Sequence, residues 1–153
     1  MLDDTMDIND YVKIELIEYG DDSKWSYING CVIKNNIADR KMRSKIDNPK
    51  ILLIGNSIGF FQDDSFADLE TYVKQENHYI EILMDRISQA NPDIIVIEKD
   101  ISRSILCKIR ELNITVIINV KRSSLDKIAR CTETLVTPSV NLIEQYFELG
   151  TCK

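Results

Sequence analysis

The chain has 153 residues, of which 44% are apolar and 29% charged, and carries a net charge of −6. That length suits about one domain able to bury most of the surface its unfolded chain exposes, and the composition excludes the collagenous, wholly disordered and membrane-spanning classes. The acidic balance opposes a general nucleic-acid or anionic-lipid surface.

The first ten residues, MLDDTMDIND, are acidic and lack a basic stretch followed by an apolar one. They read as a tail rather than a secretory signal or transit peptide, and a cytoplasmic location is expected. Tyr11 to Ile17 alternates polar and apolar residues as a half-buried strand does. Gly20 to Ser23 forms a turn, and Trp25 to Ile33 resumes the strand pattern, interrupted at Gly30, where a bulge or close backbone contact is expected. The two strands are placed to pair as a hairpin. From Lys34 to Pro49 there is no sustained period. Lys34, Arg40, Lys41, Arg43, Lys45 and Lys50 concentrate positive charge here, but no aromatic residues are interleaved to stack bases, so the stretch reads as a solvated loop and nucleic acid is not expected as a partner. Asn48-Pro49 then marks an extended turn into a short apolar strand, Lys50 to Ile54.

Asp64 or Ser65 can cap a helix starting near Phe66, and Leu69, Val73, Ile80, Leu83, Met84 and Ile87 keep close to helical spacing until Asn91-Pro92 stops it. Gln75 to His78 interrupt the apolar stripe, so the first half of this helix is expected to project and the second half to pack on a sheet. Asn91 to Thr132 then reads as a βαβα unit: strands Ile94–Ile97 and Ile114–Ile118, a helix Ile101–Leu112, and a further helix beginning at Leu125–Ala129. Strands of this continuous branched type imply a parallel sheet covered by helices. In the first of these helices Ile105, Leu106, Ile109 and Leu112 are expected to pack on the sheet. Arg103, Ser104, Lys108 and Glu111 then face outward, a flank of the kind that binds peptide. Ser123 to Asp126 reads as the cap of the second helix. A short strand near Thr134 to Val136, a turn at Pro138 and a tail to Cys152 complete the chain.

Little catalytic vocabulary accompanies this grammar. Gly55-Asn56-Ser57-Ile58-Gly59 matches the GxSxG nucleophile elbow after a strand, but the one histidine, His78, sits on the following helix rather than downstream of an acid, and a hydrolase is not expected. Lys99, at the C-terminal end of a strand, is positioned as a phosphate- or carbonyl-binding lysine would be. With no glycine near that turn, Glu98-Lys99-Asp100 reads as a charged connection with Asp100 or Ser102 as N-cap. Cys31, Cys107, Cys131 and Cys152 are scattered without CxxC spacing, so reduced thiols are expected, with no metal and no cofactor.

Four segments carry a family resemblance: NPKILLI (Asn48–Ile54), IVIEKDISR (Ile95–Arg103), ITVIINVKRSSLDKIARCT (Ile114–Thr132) and LGTC (Leu149–Cys152). They resemble the chaperonin-like domain of the phosphatidylinositol 3-phosphate 5-kinases, itself similar to the apical domain of group II chaperonins. The resemblance spans roughly Tyr11 to Cys152, and the pairing of VIEKDISR with INVK favours the lipid-kinase branch. It implies an α/β apical-type fold, with a β-sandwich-like core, flanking helices and a protrusion that here is short, Gly59 to Leu69, which speaks against a lid. It also implies that the chain is one domain of a larger protein. By the same resemblance Arg103, Ser104, Lys108 and Glu111 become the partner-contacting residues. The implied role is a non-catalytic interaction or regulatory domain that binds a scaffold or peptide, in a parent protein peripheral on an endosomal or vacuolar membrane. The alternative is the apical domain of a group II cytosolic chaperonin subunit, holding a polypeptide client. The nucleotide-binding equatorial segments of a chaperonin are missing, so no ATP site is expected. Glu133 stands where these families usually have glycine, and the turn there is expected to differ.

Overall fold

The computed structural model describes residues 30–59, 69–140 and 149–152. The expected strand Tyr11–Ile17, most of the strand Trp25–Ile33, the Asp64/Ser65 cap and the protrusion lie outside the described residues. Residues 30–33, the end of that second strand, are not part of a strand.

The elements in chain order are β1 (Lys50–Ile54), α1 (Leu69–Ala90), β2 (Ile94–Ile97), α2 (Arg103–Glu111), β3 (Thr115–Ile117), α3 (Arg122–Thr132), β4 (Val136–Thr137) and β5 (Gly150–Thr151). The expected βαβα unit is present. The sheet runs in the order β3-β2-β1-β4, every neighbouring pair parallel. The free edge of β1 is divided: its C-terminal half pairs with β4, and its N-terminal half pairs antiparallel with β5 through Lys50–Thr151 and Ile51–Gly150. The fourth strand falls at Val136–Thr137 rather than at Thr134–Val136, because Thr134 still belongs to the turn that closes α3, its N–H donating to the Ala129 carbonyl at 3.0 Å.

Alternation along the strands divides the core between two faces. Leu52, Ile54, Ile95, Ile97 and Val116 join the buried residues of α1 and α2, whereas Ile51, Leu53 and Val96 pack with Leu125 and Ile128 of α3. Each fully buried Leu or Ile side chain contributes about 1.5–3 kcal/mol from removal of apolar surface from water. Helices therefore cover both faces of one sheet. A facing second sheet, as a β-sandwich-like core would have, is not formed by the described residues.

The long helix divides as its sequence predicts. Ile80, Leu83, Ile87 and Ala90 are buried, while Val73, Lys74, Gln75, Asn77 and His78 are exposed. Asn91, at φ 48°, ends the helix in the left-handed region that Asn tolerates, and Pro92 follows. Three local expectations need correction. Leu112 does not pack on the sheet: α2 ends at Glu111, Leu112 occupies the C-cap position, and it is 44% exposed. Ser102 holds the N-cap position of α2 but makes no capping hydrogen bond, and its buried hydroxyl has no partner among the described residues. Nor do the serines cap α3. That helix begins earlier, at Arg122, with Lys121 in the N-cap position and no side-chain cap, and Asp126 instead accepts from Arg122 Nε one turn back at 3.2 Å.

The stretch read as a solvated loop is a strap along the outer edge of β3. Ile37 bridges Ile117 antiparallel, the Ala38 N–H donates to the Val116 carbonyl at 2.8 Å, and the Thr115 hydroxyl donates to the Arg43 carbonyl at 2.9 Å. Met42 is buried, its sulfur accepting from the Val116 N–H, and Asn35 Nδ2 donates to the Ile118 and Asn119 carbonyls. An uncovered edge strand presents a row of unpaired backbone groups, and here those groups recruit the loop. Its basic side chains remain exposed around that backbone.

Candidate functional site

The sheet's packing fixes the face that α2 can offer. Ile105 and Ile109, one turn apart, are both fully buried against the sheet, with Leu106 half-buried beside them. Their spacing leaves Arg103, Ser104, Lys108 and Glu111 on the solvent side, and all four are exposed as the sequence predicts. Arg110, on the flank toward the strap, is held by a 2.7 Å ion pair with Asp39. The Lys41 backbone N–H and the Arg110 guanidinium lower the Asp39 pKa, and the same contact raises that of Arg110.

The α2 face continues onto α1. The Ser104 hydroxyl lies 3.5 Å from Glu76 Oε1, and the two helices flank a groove of about 450 Å³ lined by Ile80, Met84, Lys108, Glu111 and Leu112, with Glu81 and Asp85 at its rim. Lys108 and Glu111 thus come together in one concave surface, while Arg103 and Ser104 lie one turn nearer the helix N-terminus. Neither Arg103 nor Lys108 makes an ion pair among the described residues. Leu112 belongs to the groove because it escaped the core. A sequence signal for this existed in Asn113, whose left-handed φ of 65° ends the helix early.

A second groove, of about 590 Å³, runs between α3 and β4, lined by Arg122, Ala129, Leu135, Val136 and Pro138 among others. Leu135 is 57% exposed there. No sequence pattern announces it, since β4 is only a two-residue strand.

The residues that suggested catalysis are not assembled into a reactive group. A Cβ at Gly55 would stand 2.7 Å from Arg122 Nη1, so this glycine clears the way for the Arg122–Glu98 ion pair (3.3 Å) crossing above the strand end. Ser57 is only partly exposed, its own N–H donates to Asn56 Oδ1, and no base hydrogen-bonds its hydroxyl among the described residues. His78 and Lys99 are exposed, His78 on α1 and Lys99 on the turn after β2. No group of three or more metal-ligating side chains is assembled among the described residues.

Residues 2–153 match the TCP-1/cpn60 chaperonin family. The chain belongs to that family. Its sequence is 36% identical over 152 residues to the human 1-phosphatidylinositol 3-phosphate 5-kinase, covering 98% of this chain and 7% of the kinase. It is 32% identical over 148 residues to an Arabidopsis thaliana 1-phosphatidylinositol-3-phosphate 5-kinase, covering 96% and 8%. It is also 30% identical over 155 residues to the T-complex protein 1 subunit gamma of Macaca fascicularis, covering 95% and 28%. The chain therefore spans less than a tenth of the kinase relatives and little more than a quarter of the chaperonin subunit. The open-state monomer of a group II chaperonin from Methanococcoides burtonii superposes with a TM-score of 0.64 at 21% identity, over 82% of this chain and 27% of that one. The resemblance read from the four sequence segments is borne out, and so is the chaperonin-like fold. This chaperonin-family chain corresponds to a region shared by lipid kinases and chaperonin subunits.

Proposed function

We propose that the chain is a non-catalytic protein-interaction and regulatory domain of a phosphatidylinositol 3-phosphate 5-kinase-like protein, taking a scaffold or peptide on the outward face of α2. The observation that carries this reading is the presence, along the exposed part of α2 and its groove with α1, of an exposed leucine and two cations that have no ion partner among the described residues. Such a surface suits a segment that inserts an apolar side chain beside Leu112 and Met84 and sets carboxylates against Arg103 and Lys108. Higher identity to the human kinase than to the T-complex subunit supports the lipid-kinase assignment. In this reading the parent protein acts in the cytoplasm, peripheral on an endosomal or vacuolar membrane, and its catalytic domain lies elsewhere in its sequence.

The test is a pull-down from cell lysate followed by titration calorimetry with the partner recovered, comparing the wild-type chain with an Arg103→Glu/Lys108→Glu variant. Both side chains are exposed, so the variant is expected to keep its thermal midpoint while losing roughly tenfold or more in affinity, as two reversed interfacial charges do. Unchanged affinity removes α2 from the interface. The second reading, a polypeptide-holding chaperonin subunit, rests on the similarity to the T-complex subunit. It would be favoured by binding of a reduced, unfolded model protein at the same face.

A further inference from the structure

The strap that closes the edge of β3 concentrates positive charge on an acidic chain. Of the 19 Lys and Arg residues six fall here, Lys34, Arg40, Lys41, Arg43, Lys45 and Lys50, against two acids, Asp39 and Asp47. All six cations are exposed. Two ion pairs neutralise neighbouring carboxylates: Arg110 of α2 holds Asp39 at 2.7 Å, and Arg43 Nη2 lies 3.8 Å from Asp93 Oδ1. Lys34, Arg40, Lys41, Lys45 and Lys50 are left without an ion pair among the described residues.

The backbone holds these charges in place. Asp39 to Met42 forms a tight turn, in which the Met42 N–H donates to the Asp39 carbonyl at 3.0 Å and the Lys41 N–H to Asp39 Oδ1 at 2.9 Å. Arg40 and Lys41 are its two central residues and stand at the apex, while Asp39 is tied to α2 and Met42 is buried. From Asn35, bonded to the Asn119 carbonyl, to Arg43, bonded to that of Asn113, the strap follows β3 for about 20 Å. Glu70, Glu76, Glu81 and Asp85 belong to α1, Glu111 to α2 and Asp126 to α3, the helices that cover the two faces of the sheet, whereas the strap lies on the edge between those faces.

We propose that the strap edge is a docking surface for an anionic phospholipid bilayer. Near such a surface each Lys or Arg strengthens binding roughly fivefold. Attraction and repulsion both fade over about 8 Å at physiological ionic strength, so cations on the edge act while carboxylates on the far sides of the helices are screened. An acidic chain thus meets an anionic surface in one orientation. The strap lines neither of the two grooves, and its charges lie along an open edge that a planar partner meets at several points at once. The β3 backbone groups that an added peptide strand would use are bonded to the strap, and residues 34–50 include no aromatic side chain to stack a base. Docked by this edge, the sheet stands upright on the membrane with both helical faces free. The contact uses none of the four outward residues of α2, so it holds whether or not a scaffold binds there.

The test is sedimentation of the full chain with vesicles of two parts phosphatidylcholine to one part phosphatidylserine, against vesicles of phosphatidylcholine alone. Binding is expected with the anionic vesicles only, half-complete at roughly millimolar accessible lipid, and lost as salt rises from about 0.05 to about 0.5 M. Arg40→Glu/Lys41→Glu, which leaves the backbone bonds of the turn in place, is expected to lower the binding constant about 25-fold or more at an unchanged thermal midpoint. Lys74→Glu/Arg130→Glu makes the same change in net charge at two exposed positions away from the strap, on α1 and beside β4, and is expected to bind within about threefold of wild type. No sedimentation with anionic vesicles at low salt, equal binding to both vesicles, equal losses from the two double variants, or tighter binding to polyglutamate or RNA added as competitor would each overturn the proposal.

Discussion

Glu133 shows how a single backbone position keeps its geometry after losing its customary residue. It closes α3 at φ 52° and ψ 42°, the left-handed conformation that glycine adopts without cost, so the turn expected to differ retains its left-handed shape. A side chain in that region costs about 1–2 kcal/mol, and glycine's extra unfolded freedom returns part of it. Glu133→Gly is therefore expected to stabilise the chain by about 0.5–1 kcal/mol, read as a higher urea midpoint at unchanged slope. A lower midpoint would mean that the exposed Glu133 side chain contributes more than its backbone costs. Gly150 is the opposite case. A Cβ there would meet Thr132 Oγ1 at 2.6 Å, Thr132 Cβ at 2.7 Å and Thr134 Cγ2 at 2.9 Å. These are buried, branched side chains with little freedom to retreat, so Gly150→Ala is expected to cost about 1–3 kcal/mol in the same denaturation experiment. A loss near zero would show that β5 moves away from α3 freely.

At the scale of the element, α2 was readable and the strap was not, for one physical reason. The α2 face follows from a local period: Ile105 and Ile109 repeat at i, i+4, and the four polar residues fall opposite them whatever surrounds the helix. The one departure, Leu112, came from extending that period past the helix end. The strap has no local period, because its order comes from hydrogen bonds to residues 70 to 84 positions away, such as Arg43 to the Asn113 carbonyl and Asn35 to Asn119. The cap serines of α3 misled for a similar reason: Ser and Asp mark helix starts statistically, and here Arg122 opens the helix one residue earlier. One ion pair ties the strap to α2 and gives it a pH signature. Folding lowers the Asp39 pKa through the Lys41 N–H and then Arg110. A carboxylate lowered in this way adds stability above its ordinary value of 3.8 and surrenders it as pH falls through the lower folded value. Asp39→Asn is expected to be less stable than wild type at neutral pH, with the difference closing in acid below that range. Parallel hydrogen-exchange protection of the Ala38 and Val116 amides would follow it. A gap that persists unchanged into strong acid would assign the effect to something other than the charge of Asp39.

At the scale of the whole molecule, the parallel sheet, its helical cover and the family were legible because each rests on several segments agreeing. The branched runs at 51–54, 94–97 and 115–117 demand burial on both faces, and the intervening amphipathic stretches supply the cover. What was hidden was convergence. The Arg122–Glu98 pair over Gly55 and the groove beside Leu135 each unite residues with no mutual spacing to detect.

The strap also bears on the order in which the chain is made. The outermost parallel strand, β3, is completed at residue 117, whereas the segment that covers its outer edge ends before residue 50 and has left the ribosome first. Domains begin to organise during synthesis at about 5–20 residues per second. When β3 docks on β2, its cover is already present as a free length of chain. The nascent protein thus never needs to display a bare hydrophobic sheet edge to its neighbours on the same messenger RNA, a hazard that moving residues 34–49 to the C-terminus by circular permutation would restore.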